Sequence, residues 1–408
     1  MNLKKRIEAY AELLVAYGLN IDKGQEVVVE ACPDQIGFVR TVVEKCYQHG
    51  ASKVTVELYD TGCDRLDALY QDVETLSHLE EWQILKKKTR SEKLPAMLWL
   101  DSEDPDAMEG TDNEKTSKAR RAKMLKLKQY DDAMENKHQW CIASVPGKEW
   151  ARKVFPSLNE KQAEKALWNA ILDASRVKGS VLLKWRKHNH EIHQRAKKLN
   201  SYGFAKLRYH ASNGTDLTVG LIPKSRFCGG SEKDVSGRVF NPNIPTEEIF
   251  ISPMRGQADG IVYSSKPLSY SGVMVEDFSI RFENGRAVEA KAGKGQDVLE
   301  KIIATDDGSA YLGECALIGW NSPINNTGVL FYNTLFDENA CCHVALGAGF
   351  NDCIKGFEHM SNEECKALGV NDSIMHVDFM IGTNDMNVDG IMNDGTVVPV
   401  FRNGNWCI

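Results

Sequence analysis

Four short segments in the C-terminal half place acidic and histidine residues among apolar ones. Residues 245–250 carry Glu247 and Glu248, and residues 311–317 carry Glu314. Residues 336–343 carry Asp337, Glu338, Asn339 and His343, and residues 376–380 carry His376 and Asp378. A carboxylate among apolar neighbours is costly to bury unless it is paired or bound to a cation. Any one of them alone reads as a cap or a hydrogen-bonded turn residue. Asp337 and Asn339 fit that reading, as a turn and helix start before residues 340–346. The four segments together point to a shared charge centre. His376 and Asp378 sit in an apolar run, 374–381, that predicts a strand. Residues two apart on a strand face one side, roughly 6.5 Å along it, so both can serve one ion or two adjacent ions. Glu338 and His343 straddle the expected helix start. The set Glu248, Glu314, Glu338, His343, His376 and Asp378 supplies four carboxylates and two imidazoles. Four negative charges balance two divalent cations, and oxygen-rich ligation with two His suits Zn, Co or Mn.

The elements that position these residues read as antiparallel strands. Asn213-Gly214, Asn284-Gly285 and Asp394-Gly395 each sit between alternating apolar segments. Such dipeptides are hairpin signals. Residues 204–408 are therefore expected to form a β-rich α+β domain that carries the site. Residues 1–203 read differently. Apolar Leu3, Ile7, Tyr10, Leu14 and Tyr17 recur at helical spacing, with Asn2 placed to cap. Short β-branched runs at 26–31 and 53–59, and apolar runs at 97–100 and 140–143, alternate with helical patterns at 34–49, 64–90, 113–135 and 160–177. That order predicts an α/β domain with a mainly parallel sheet and flanking helices. Neither G-x-G-x-x-G after the first strand nor a P-loop pattern is present, so no nucleotide site is expected there. A basic helix over 180–199 holds His188, His190 and His193. Positions 188 and 190 point about 200° apart on a helix, which argues for a solvated surface or connector rather than a metal site.

Composition bounds the remaining possibilities. The chain has 408 residues, a net charge of −7 and 42% hydrophobic residues, ordinary for a globular protein of two or three domains. Residues 241–408 hold 10 Lys and Arg against 23 Asp and Glu, a net −13, which leaves +6 for residues 1–240. The acidic half suits cations or amines. The basic stretches Lys86-Lys87-Lys88 and Lys118-Ala119-Arg120-Arg121 lack interleaved aromatic residues, so no nucleic-acid partner is expected. No apolar run approaches the ~20 residues of a spanning helix, so no membrane partner is expected. Glu8 and Glu12 interrupt what would be the apolar core of a signal peptide, and the 11 Cys contain no C-x-x-C. Free thiols in a cytoplasmic protein are the expectation.

The ordered stretches Asn241-Pro242-Asn243-Ile244-Pro245-Thr246-Glu247-Glu248, Leu312-Gly313-Glu314, Asn333-Thr334-Leu335-Phe336-Asp337-Glu338-Asn339-Ala340, His376-Val377-Asp378 and Phe401-Arg402-Asn403-Gly404-Asn405-Trp406 resemble the metallopeptidase family of aminopeptidase T and aminopeptidase S. The resemblance is dense over residues 240–406 and looser before them. It implies a two-domain exopeptidase with a two-metal site in its C-terminal domain. It implies a homodimer around an enclosed cavity, trimming short peptides with a free N-terminus. The ligands it implies are the same six residues. It also implies a Tyr seven residues after His343, where this chain has Phe350.

On that reading a metal-activated water attacks the scissile carbonyl. Glu314, between the other ligands in sequence, is expected to bridge the ions. Glu247 is a candidate proton carrier by analogy with other two-zinc aminopeptidases that carry a Glu-Glu pair. The alternative for Glu247 is an exposed Glu beside a buried one. Two further readings stand beside the peptidase. His343, His376 and Asp378 could hold a single non-haem iron, as in ring-cleaving dioxygenases that resemble this family. Phe350 is the feature that would fit a family member with weakened or lost catalysis.

Overall fold

The structure, a computed structural model, describes residues 1–102, 104–134, 136–270 and 273–408. The fold is mixed α/β, with two compact units. One comprises residues 1–185 with 231–244, and the other residues 186–230 with 245–408.

The first unit carries a five-stranded sheet, in the order Lys53–Leu58, Glu26–Ala31, Ala96–Asp101, Trp140–Ser144, Asn243–Ile244. Every neighbouring pair is parallel. Val27, Val28 and Val29 are all buried, as a continuous β-branched run requires inside a parallel sheet. The Asn2 side chain accepts from the Lys5 amide at 3.0 Å and starts helix Leu3–Leu13. The helical pattern over 64–90 is broken into Thr61–Tyr70, Val73–Ser77 and Glu81–Lys93. Asp60 and Asp72 each cap a new helix start, through the Cys63 and Thr75 amides, and divide the run.

The expected single boundary at 203/204 does not describe these units. The basic helix is one element, Val181–Tyr202, and its Ile192, Ala196 and Leu199 belong to the core of the second unit. The chain then returns to the first unit, because Asn243–Ile244 pairs with Trp140–Ser144 as a fifth strand. On the helix, His188 is buried while His190 and His193 are exposed.

The second unit holds a nine-stranded and a four-stranded sheet, with antiparallel pairing throughout. The three expected hairpins are present: Lys206–His210 with Asp216–Leu221, Val273–Glu283 with Arg286–Lys294, and Asn387–Ile391 with Val397–Arg402. Asn284 and Gly285 both adopt positive φ, at 49° and 81°, as a tight hairpin turn of the I′ kind demands.

The four-stranded sheet runs Ile249–Ile251, Leu312–Leu317, His343–Gly347, His376–Met380. Its two faces are chemically opposite. Ile249, Ile251, Cys315, Leu317, Val344, Leu346, Val377 and Phe379 join one apolar cluster with Leu207, Val219, Val262 and Ile280 of the larger sheet. The alternate residues therefore share the other face. Register aligns Glu314, Ala345 and Asp378 in one row, and Ala316, His343 and Met380 in the next.

Strict alternation would put Leu312 and Glu314 on the same face. A bulge between them resolves the conflict, so that Leu312 lies opposite core residue Leu346 and Glu314 opposite Ala345. Gly313 sits at this bulge. An added Cβ would lie 2.1 Å from the Ala348 carbonyl oxygen and 2.4 Å from that of Gly347. Gly313→Ala is expected to destabilise the protein by at least about 2 kcal/mol. A denaturant melt with an unchanged midpoint would show that the two strands part there at no cost.

Candidate functional site

Each acidic or His residue is placed by its own strand or by the loop leading into one. Glu248 directly precedes strand Ile249–Ile251, and Glu314 lies within Leu312–Leu317. His376 and Asp378 share a face of His376–Met380, as their spacing predicts. His343 opens strand His343–Gly347, not the expected helix. The helical turn Thr334–Asp337 ends in the 3-10 turn Glu338–Ala340, and Cys341 is already fully extended. β-Propensity in Cys341-Cys342-His343-Val344 and pairing on both sides override the helical start.

Donor atoms of Glu248, Glu314 and His343 lie within 4.8 Å of one another, and so do those of Glu314, His376 and Asp378. Glu314 belongs to both groups. One of its oxygens, Oε1, is 3.8 Å from His343 Nε2, and the other, Oε2, is 3.1 Å from His376 Nε2. His376 Nε2 is also 3.1 Å from Asp378 Oδ1, and His343 Nε2 is 3.6 Å from Glu248 Oε2.

Both imidazoles are fixed from behind. His376 Nδ1 donates to the Ala348 carbonyl at 2.7 Å, and His343 Nδ1 to the Glu338 carbonyl at 2.8 Å. A carbonyl can only accept, so each Nδ1 carries the proton and each Nε2 is turned to the carboxylates. Metal-ligating histidines are held in this manner.

The electrostatics are those of a cation site. Glu248 is pushed up to about 8 by burial and then by Glu314. Glu338 is raised well above the carboxylate range by burial, then by Asp378 and Glu248. Burial also opposes ionisation of Glu314, but His343 and His376 more than offset it and hold Glu314 at about 2. For the two imidazoles burial favours the neutral ring, yet the carboxylates around them raise both well above the usual value. Protons on Glu248, Glu338 and the two imidazoles offset the charge of the clustered carboxylates, and divalent cations would take their place. The oxygen and nitrogen donors fit divalent ions such as Zn, Co or Mn.

Glu338 falls outside both donor groups. Its carbonyl anchors His343, and its Oε1 accepts from Asn339 Nδ2 at 3.3 Å. Glu247 is also outside them. Its side chain is 8% exposed, with Oε1 3.9 Å from His188 Nε2, which excludes the solvent-exposed alternative. Asp337 fills its expected turn role, accepting from the Phe331 and Asn333 amides at 2.9 and 3.1 Å. Asn339 does not. It is fully buried, and its Oδ1 accepts from the Glu247 amide at 2.7 Å. Sequence reasoning also missed the small residues Ala316, Ala345 and Gly347, the register partners of His343, Asp378 and His376. The signal was there, as small residues alternating with Val344 and Leu346.

The family model for the thermophilic metalloprotease family M29 matches residues 3–406, and the chain belongs to that family. Aminopeptidase AmpS of Bacillus subtilis is 40% identical over 407 residues, 99% of each chain. The solved structure of wild-type AmpT from Thermus thermophilus is 38% identical, covers 100% of both chains and gives a TM-score of 0.92. The 2,5-dihydroxypyridine dioxygenase of Pseudomonas putida covers 99% of this chain and 96% of its own at a TM-score of 0.51. At 10% identity that likeness shows the fold alone. With this kinship and this donor set, the chain is a metal-dependent aminopeptidase, a hydrolase of N-terminal peptide bonds.

Phe350 stands at the rim of the site. Its ring is 4.9 Å from the His376 ring and meets Phe250 edge-on at 5.3 Å. Its amide donates to Ser252 Oγ at 2.7 Å, and the side chain is partly open to solvent. Phe350→Tyr is expected to raise kcat about tenfold, below the 10²–10³-fold associated with one oxyanion donor. An unchanged kcat in steady-state hydrolysis of a leucyl arylamide would leave the ring a packing role alone.

Proposed function

We propose that the site holds two divalent cations that share Glu314. The observation that carries this reading is the division of Glu314, with one oxygen toward His343 and the other toward His376. Glu248 and His343 serve one ion, and His376 and Asp378 the other, with Glu338 completing the ligand set. When bound, the cations supply Lewis acidity: they acidify water and polarise the scissile carbonyl. The protein's own residues do the rest. The Ala348 and Glu338 carbonyls hold the two Nε2 atoms in register. A free α-amine on the substrate, met by a cation or a carboxylate, is the feature proposed to restrict cleavage to N-terminal residues. Glu247, buried beside Glu248 and in neither donor group, is the proposed carrier of a proton to the leaving amine.

Short peptides are the proposed substrates, and a homodimer in the cytoplasm the proposed form. The support for both is the family resemblance. Light scattering at micromolar protein reads the assembly, and a monomeric mass would remove the dimer.

The central test combines metal counting with a variant. The wild type should carry two Zn, Co or Mn ions per chain by elemental analysis, lose activity to a chelator, and leave N-acetylated peptides intact. Glu314→Gln keeps the shape and removes the charge. It is expected to hold fewer than two ions and turn over at least ~100-fold more slowly. Asp337→Asn, at the acceptor of the Phe331 and Asn333 amides, should keep both ions. A Glu314→Gln protein with two ions and normal turnover would place the site elsewhere. One tightly held iron, with oxygen-dependent ring cleavage, would favour the dioxygenase reading.

A further inference from the structure

Asn339 joins two segments that lie 92 residues apart in the chain. Its Oδ1 accepts the Glu247 amide at 2.7 Å. Its Nδ2 donates to the Leu335 carbonyl at 3.0 Å and to Glu338 Oε1 at 3.3 Å. The side chain is completely buried, so these partners are not exchanged for bulk water. A carboxamide is required here: the Glu247 side needs an acceptor, and the Leu335 and Glu338 side needs a donor.

The consequences for the backbone fall on one half of the site. The Glu247 amide immediately precedes Glu248. The residue bonded to Nδ2, Glu338, also supplies the carbonyl that holds His343 Nδ1 at 2.8 Å. Asn339 therefore lies one hydrogen bond and one residue from each of Glu248 and His343, which together with Glu314 form one donor group. The other group is anchored elsewhere. His376 is held by the Ala348 carbonyl, and Asp378 is fixed by strand pairing to Ala345.

We propose that Asn339 is a positioning residue that sets the spacing of the Glu248–Glu314–His343 half of the centre, and that its loss weakens that cation site while sparing the other. The inference rests on the two-ion reading above. Asn339 touches neither substrate nor ion. It acts through the loop carrying Glu248 and the turn carrying Glu338. Outer partners of metal ligands commonly alter affinity 10- to 100-fold.

The test is calorimetric binding of Zn to chelator-stripped protein, for the wild type, Asn339→Ala and Asn339→Asp. Asn339→Ala removes both links and adds no charge. Asn339→Asp keeps the acceptor, loses the donor and sets a second carboxylate against Glu338. The wild type should bind two ions. Both variants should keep one site within about twofold of the wild-type affinity and weaken the other at least about tenfold. Melting of the stripped proteins separates positioning from stability, and Asn339→Ala, the smaller change, decides if the Asp variant does not fold. Two unchanged sites in the variants would overturn the inference, and so would equal weakening of both in step with a lower melting temperature. A wild type that takes up only one Zn would overturn the two-ion reading itself, a result visible before any variant is examined.

Discussion

Four carboxylates gathered on one face of a small sheet are the constraint on which this molecule is built. Charges of one sign repel strongly in a low-dielectric setting, and desolvation adds to the cost. The upward shifts of Glu248 and Glu338 express that cost, and the low value of Glu314 expresses its relief by two facing imidazoles. A protein maintains such an arrangement where function requires it, and the opposing face must supply the stability. Here that face is unbroken apolar packing from Ile249 to Phe379. The four-stranded sheet is thus a partition, with core on one side and a cluster of ionisable groups on the other.

Holding the charges at fixed separations is the second requirement, and backbone groups meet it more than side chains do. The two histidines are clamped by carbonyls, while Glu314 and Asp378 are aligned by strand register. The bulge at Gly313 turns Glu314 to the charged face without removing Leu312 from the core. Gly347 has φ of 101°, and a Cβ there would come within 2.1 Å of the Met375 carbonyl oxygen. These glycines let the strand ends approach closely enough for His376 to reach Ala348.

Much of this was legible in the sequence. The Asn-Gly and Asp-Gly turns mark hairpins because positive φ at those positions is a local property. The pair His376 and Asp378 marks a strand face because its period is two. The six acidic and His residues stand out because charge among apolar neighbours demands an explanation. What escaped the sequence depends on contacts between distant segments. Whether residues 340–346 become helix or strand is decided by pairing with Leu312–Leu317 and His376–Met380, which no local window contains. Asn339 looks like a turn residue because its short-range options are all a sequence displays; its partner at Glu247 is supplied by the fold. The return of Asn243–Ile244 to the first sheet is equally non-local, with only two residues to signal a strand.

Charge balance also bears on the rival chemistry that the same fold can support. A single ion held by His343, His376 and Asp378 would use one carboxylate and leave Glu248, Glu314 and Glu338 to face one another. His343 and His376 do not converge on one point either. Among the described residues each falls in its own donor group, and Glu314 is the member common to both. His376 Nε2 is 3.1 Å from Asp378 Oδ1, whereas His343 Nε2 is 3.9 Å from the same oxygen and closer to Glu248. Two cations would draw on Glu248, Glu314 and Asp378, whereas one cation at His343, His376 and Asp378 would draw on Asp378 alone. The arrangement of the acidic residues, more than that of the histidines, is what favours hydrolysis on this scaffold.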